Sequence, residues 1–192
     1  MILNAKARSY ERAFLHQLSM KKVALILSDL WGIQGQDWTA SYISYLEGAF
    51  DIHLLDVKEL AGIHPSVIDE SEIHAQFVSG GIDRAVNQLI TRYENVGLIL
   101  GFSIGGSIGW KCALSGLNAE RLVCASSTRL RHETKRPMTQ VELYYGTAEE
   151  YRPSTEWETS FQLQSISVTG DHHIYRQTEV CQKICSSILR TN

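Results

Sequence analysis

The six residues Gly101-Phe102-Ser103-Ile104-Gly105-Gly106 are the part of this sequence best suited to chemistry. They follow the apolar run Val96–Leu100 and match the pattern G-x-S-x-G. A serine on a sharp strand-to-helix turn, flanked by small residues, presents its hydroxyl at the edge of a sheet. The next amide, that of Ile104, then points at the same spot from the start of a helix whose dipole favours an oxyanion. Gly105, Gly106 and Gly109 would each cost that helix about 1 kcal/mol relative to alanine, so close packing must offset them. Two phosphate-binding patterns do not fit: the dinucleotide fingerprint needs glycine where Ser103 stands, and the phosphate-cradling loop needs lysine where Ser107 stands.

A serine hydroxyl is a weak nucleophile until a histidine takes its proton, and the imidazolium so formed needs an oriented carboxylate. Both groups occur downstream. The run Val141–Tyr145 ends in Gly146-Thr147-Ala148-Glu149-Glu150, and Leu163–Val168 ends in Thr169-Gly170-Asp171-His172-His173. Two glutamates and two histidines are therefore candidates at this point.

The elements that must position these groups alternate along the chain. Val23–Leu27 is a strand buried on both faces, and Trp38–Phe50 a helix presenting Tyr42, Tyr45, Leu46 and Ala49. Asp51–Val57 is the next strand, 62–79 a loop or short helix, and Gly81–Tyr93 a helix. Val96–Leu100 leads into the serine turn and a helix to about Leu114. Arg121–Ala125, Val141–Tyr145 and Leu163–Val168 are three more strands, and Ile174–Leu189 is a closing amphipathic helix. Such alternation predicts an α/β fold, a mostly parallel sheet of about six strands with helices on both faces. Ligands of such sheets bind at the carboxyl ends of strands, where the serine, glutamate and histidine groups all fall.

On these residues the chain, over about 20–192, resembles the α/β-hydrolase superfamily. The resemblance rests on the strand with Gly-Phe-Ser-Ile-Gly-Gly, on the Gly-x-x-acid turn and on Gly-Asp-His before the last helix. It implies Ser103 as nucleophile, His172 rather than His173 as base, and Glu149 rather than Glu150 as the orienting acid. It implies oxyanion donors at the amides of Ile104 and Leu30, with Trp31 and Phe102 touching the acyl group. The superfamily's usual His-Gly after the first sheet strand is replaced by Ser28-Asp29-Leu30-Trp31-Gly32, and an inward-pointing Asp29 would oppose an oxyanion. The superfamily's first two strands are expected to be missing. The connection between Ala125 and Val141 is too short for a lid, which predicts an open, shallow site.

The resemblance implies a serine hydrolase acting on small carboxylic esters through an acyl-enzyme. Similarity of Ser-Ile-Gly-Gly and Gly-Asp-His to thioesterases makes acyl thioesters an alternative. Asp29 and the lost His-Gly favour a third, a non-catalytic binding protein on the same scaffold. None of the three calls for a cofactor or a metal.

The 192 residues fit one domain over 1–192, with 1–20 as an N-terminal helical extension. Hydrophobic residues make up 44% and charged ones 20%, the composition of a globular protein. A net charge of −3 gives no basic field for nucleic acid, and no apolar run approaches the roughly 20 residues of a membrane span. Cys112, Cys124, Cys181 and Cys185 lack a ligand or disulfide spacing and suit a reducing cytoplasm. His64 and His74 beside Asp69, Glu70 and Glu72 are expected in a solvated loop. Arg129, Arg131, Lys135 and Arg136 are a basic stretch expected at the surface, with anionic substrates as the functional alternative.

Overall fold

The structure, a computed structural model, describes residues 21–190; the helical extension expected over 1–20 lies outside them. Six strands form one parallel sheet: β1 (Lys22–Leu27), β2 (Phe50–Leu55), β3 (Asn95–Phe102), β4 (Asn118–Ala125), β5 (Gln140–Gly146) and β6 (Ile166–Val168). Their spatial order is β2-β1-β3-β4-β5-β6. The order reverses between β1 and β3, which lie side by side with Leu27 opposite Gly101. The loops leaving these two strands therefore part in opposite directions and open a crevice at their carboxyl ends.

The helices are α1 (Thr39–Leu46), α2 (Val57–Leu60), α3 (Glu70–Gln76), α4 (Ile82–Arg92), α5 (Ile104–Leu114), α6 (Thr155–Ser160) and α7 (Thr178–Arg190). They cover both faces of the sheet, which is why β1 and β3 read as unbroken apolar runs. Leu25, Leu27 and Ile99 pack with Val86 and Leu89 of α4 and Ile108 of α5. The alternate residues Ala24, Ile26, Leu98 and Leu100 pack with Tyr42 and Leu46 of α1 and Ile184 and Ile188 of α7.

Several boundaries differ from the sequence reading. The helix expected over Trp38–Phe50 covers only Thr39–Leu46, and the strand expected over Asp51–Val57 is Phe50–Leu55. Residues 62–79, read as a loop or short helix, do hold a short helix, α3, whose amino end is capped by the Asp69 carboxylate accepting from the Glu72 amide. Ile73 and Phe77, four apart, bury one face of that segment. The chain then turns at Gly80, whose φ of +111° a side chain would oppose, and runs into α4. β6 covers only Ile166–Val168 because α6 claims the preceding residues: the Leu163 amide donates to the Glu158 carbonyl and the Ser165 amide to the Glu158 carboxylate. The closing helix starts at Thr178, after a single tight turn over Ile174–Arg176. Among the described residues no helix is long and apolar enough to cross a membrane.

Candidate active site

Ser103 stands between β3 and α5 with φ +50° and ψ −118°, a backbone conformation that a residue with a Cβ adopts only under constraint. The constraint is visible on both sides. The Ser103 amide donates to the Ala125 carbonyl at the end of β4, at 2.8 Å. The next turn is pressed against β1, so that a Cβ on Gly105 would lie 2.3 Å from the Ser28 carbonyl oxygen and 2.7 Å from that of Leu27. The glycines that looked costly in a helix are thus what lets α5 begin directly over the crevice. Neither backbone oxygen can move without disturbing β1, so Gly105→Ala is expected to lower stability by about 3 kcal/mol, the upper end for overpacking, as read from urea unfolding.

The other two groups reach Ser103 from β5 and β6. The turn after β5 is fastened to the end of β6 by the Thr147 amide donating to the Val168 carbonyl and the Ala148 amide to that of Gly170. Gly146 makes the fit possible, since a Cβ there would lie 2.3 Å from the Asp171 carbonyl oxygen. Glu149 and His172 are thereby held together. His172 Nε2 lies 2.9 Å from Ser103 Oγ, and His172 Nδ1 lies 2.6 Å from Glu149 Oε1. The second Glu149 oxygen accepts from the Gly146 amide at 3.2 Å. A carboxylate only accepts, so Nδ1 carries the proton and Nε2 is free to accept the serine's. The Glu149 side chain is 2% exposed and the His172 ring 36%, so the acid is sheltered while the ring faces solvent. Glu150 is exposed and His173 turns to Asp171, so neither takes part in this chain.

A cavity of about 430 Å³ opens above these groups, lined by Leu30, Trp31, Ser103, Ile104, His172 and Tyr175 among others. No family model and no curated protein matches the sequence. Solved structures do match the fold. A CIB-like hydrolase from Thermoplasma acidophilum superposes with a TM-score of 0.66 at 16% identity, over 91% of this chain and 88% of its own. A Xanthomonas campestris protein described as a hydrolase of the alpha/beta superfamily gives 0.61 at 10%, over 90% and 100%. Mouse alpha/beta hydrolase domain-containing protein 10 gives 0.59 at 10%, over 88% of each chain. This chain has the α/β-hydrolase fold.

Within that α/β-hydrolase fold the loop after β1 takes an unexpected form around Asp29. Its carboxylate is 1% exposed and fully engaged: Oδ1 accepts from the Trp31 amide at 3.0 Å, and Oδ2 from Tyr175 Oη at 3.1 Å and Arg176 Nη2 at 2.7 Å. Asp29 therefore enters the site already neutralised by a cation, and the opposition expected of it is removed. Its carbonyl accepts from the Gly32 amide. The Leu30 amide, between these bonds, has no partner among the described residues. The Ile104 amide, first in α5, has none within its helix. Leu30 and Ile104 both border the cavity beside Ser103.

Trp31 is half-buried on the cavity wall. Phe102 is not. It shares the strand parity of Leu98 and Leu100, so it faces α1 and α7, fully buried. Its ring lies 4.7 Å from those of Trp38 and Tyr42 and 5.3 Å from that of Tyr175, in an aromatic cluster beneath the site rather than on its surface. Glu70 and His74, expected in a solvated loop, and Arg129 and Arg131, expected at the surface with anionic substrates as the alternative, all line the cavity. The sequence reading missed Tyr175 and Arg176 altogether. The signal was a buried acid with no nearby base in sequence, which demanded a distant one.

Proposed function

We propose that this protein is a serine hydrolase that cleaves carboxylic esters through an acyl-enzyme intermediate. The observation that carries this reading is the unbroken chain from Ser103 Oγ to His172 to the sheltered Glu149, set at a strained turn on the floor of a cavity. In this reading Ser103 Oγ attacks the acyl carbonyl as its proton passes to His172 Nε2. The negative charge moves to the carbonyl oxygen, where the Leu30 and Ile104 amides receive it. Glu149 keeps the ring oriented and stabilises the imidazolium. Collapse of the tetrahedral intermediate breaks the bond to the leaving oxygen, which takes the proton back from His172. A water molecule then gives its proton to His172 and attacks the acyl-Ser103 carbonyl. Collapse of the second tetrahedral intermediate breaks the bond to Ser103 Oγ, which takes the proton back from His172, and the carboxylic acid is released. A thioester follows the same steps with sulfur as the leaving atom.

The test is intact-protein mass spectrometry after exposure to a fluorophosphonate, which reacts with activated serines. Wild type is expected to gain one adduct, Ser103→Ala none, and His172→Ala to label at least about a hundredfold more slowly, the scale of general-base assistance. A folded wild-type protein that gains no adduct would overturn the reading.

A further inference from the structure

The remaining wall of the cavity carries charge that the hydrolytic chain does not use. A tight turn over Thr128–His132 leaves β4, the strand whose last carbonyl holds the Ser103 amide, and delivers Arg129 and Arg131 to the cavity. Among the described residues neither guanidinium forms an ion pair with a carboxylate. Arg131 donates to the backbone carbonyls of Thr128 and Tyr151 and lies 5.5 Å over the Tyr151 ring, contacts that fix it without neutralising it. Arg129 is half-buried and has no hydrogen-bonding partner among the described residues. The nearby Glu133 is committed to Lys111 at 3.1 Å. Of the acids on the cavity, Asp29 is neutralised by Arg176, which leaves only the exposed Glu70 against two arginines.

We infer that this turn is a substrate subsite for an anionic group, and that the protein prefers esters whose acyl portion ends in a free carboxylate. The inference rests on the hydrolytic reading for the word ester, though the anion subsite itself does not. A half-buried guanidinium with no carboxylate in ion-pair contact has given up part of its hydration without a direct partner, and a carboxylate entering the cavity supplies a bidentate one. The field of the pair is felt by its neighbours. Burial holds the His74 imidazole below its usual pKa, and Arg129 and Arg131 push it further down while Glu70 pulls the other way. Burial lowers the Arg129 guanidinium too, and Arg131 adds to the effect while Glu133 opposes it. Burial, which opposes a charge of either sign, is the larger cause of both shifts. The repulsion from the arginines is the smaller part, and it is that part which an entering carboxylate would relieve.

The test compares two chromogenic substrates of the same length, mono(4-nitrophenyl) adipate and its methyl diester, which differ by one negative charge. Their ratio of kcat/KM is read within each protein, with the rate in Ser103→Ala subtracted as background. Wild type is expected to favour the acid by about tenfold or more, the worth of one charge-assisted contact, and less so as salt rises. In Arg129→Gln/Arg131→Gln the ratio is expected to fall to about one, a change that general damage to the fold would not produce because it affects both substrates. A wild-type ratio near one with both esters cleaved overturns the inference and leaves the hydrolase reading standing. Should neither ester be cleaved, monomethyl adipate is titrated into wild type and the double variant by NMR. Binding that needs the two arginines then upholds the anion subsite while the hydrolytic reading fails, and no binding overturns both.

Discussion

Ser103→Gly is expected to lose ester hydrolysis by at least about 10⁴-fold, as removal of a nucleophile of this kind does, and yet to be more stable than Ser103→Ala. Both variants lack the hydroxyl and its hydrogen bond to His172, so the comparison isolates the backbone. At φ +50° and ψ −118° a Cβ is strained, by about 1–3 kcal/mol, and alanine keeps that Cβ. Glycine relieves the strain but adds about 0.5–1 kcal/mol of chain entropy lost on folding. The balance favours the glycine variant by about 1 kcal/mol, measurable as a shift in urea midpoint at constant slope. A glycine variant less stable than the alanine one by about 0.5–1 kcal/mol, the entropy cost alone, would mean that the turn is not strained. A glycine variant that retained hydrolysis would remove Ser103 from the chemistry.

How much of this was readable before the fold was known depends on the range of each interaction. The serine turn is local. A buried strand, small residues and a helix follow one another within a dozen positions, and the spacing alone conveys the geometry. The strands buried on both faces were legible for the same reason, since continuous apolar runs such as Val96–Leu100 have no other economical explanation in a chain of this length. Phe102 was misjudged through its neighbour. Adjacent to the serine in sequence, it points the other way because β3 runs two residues beyond Leu100 and side chains alternate along it. The shortness of β6 was not readable, because it is decided by competition between a strand and the carboxyl end of α6 for the same amides. Least readable was the pairing of Asp29 with Arg176, 147 positions apart. Only the tertiary fold brings them together: β1 and β6 stand four places apart in the sheet, and the turn that follows His172 comes back across the strand ends to reach the loop after β1.

That pairing yields the second large effect, an asymmetry between its two partners. Asp29 is 1% exposed whereas the Arg176 side chain is 34% exposed. Arg176→Leu strands a charge in the interior with only Tyr175 Oη and the Trp31 amide to satisfy it. The expected loss is about 3 kcal/mol, the lower end for breaking a buried ion pair because Arg176 is partly solvated. Asp29→Asn is expected to cost about 1 kcal/mol, since the side-chain oxygen still accepts from the Trp31 amide while Arg176 turns to water and to the Trp38 and Tyr175 rings that it already overlies. Combining the two is expected to be more stable than Arg176→Leu alone, because the stranded charge is gone, and the double-mutant cycle measures the coupling directly. The same substitution should reach the chemistry. Asp29 braces the Trp31 amide next to that of Leu30, so a loop that shifts to rehydrate Asp29 carries a proposed oxyanion donor with it. One such donor is worth about 10²–10³ in kcat, and a partial displacement should cost Arg176→Leu about tenfold in kcat with little change in KM. Equal losses of stability in Arg176→Leu and Asp29→Asn would show that Asp29 is solvated or protonated in the folded protein. The loop after β1 would then need some other support.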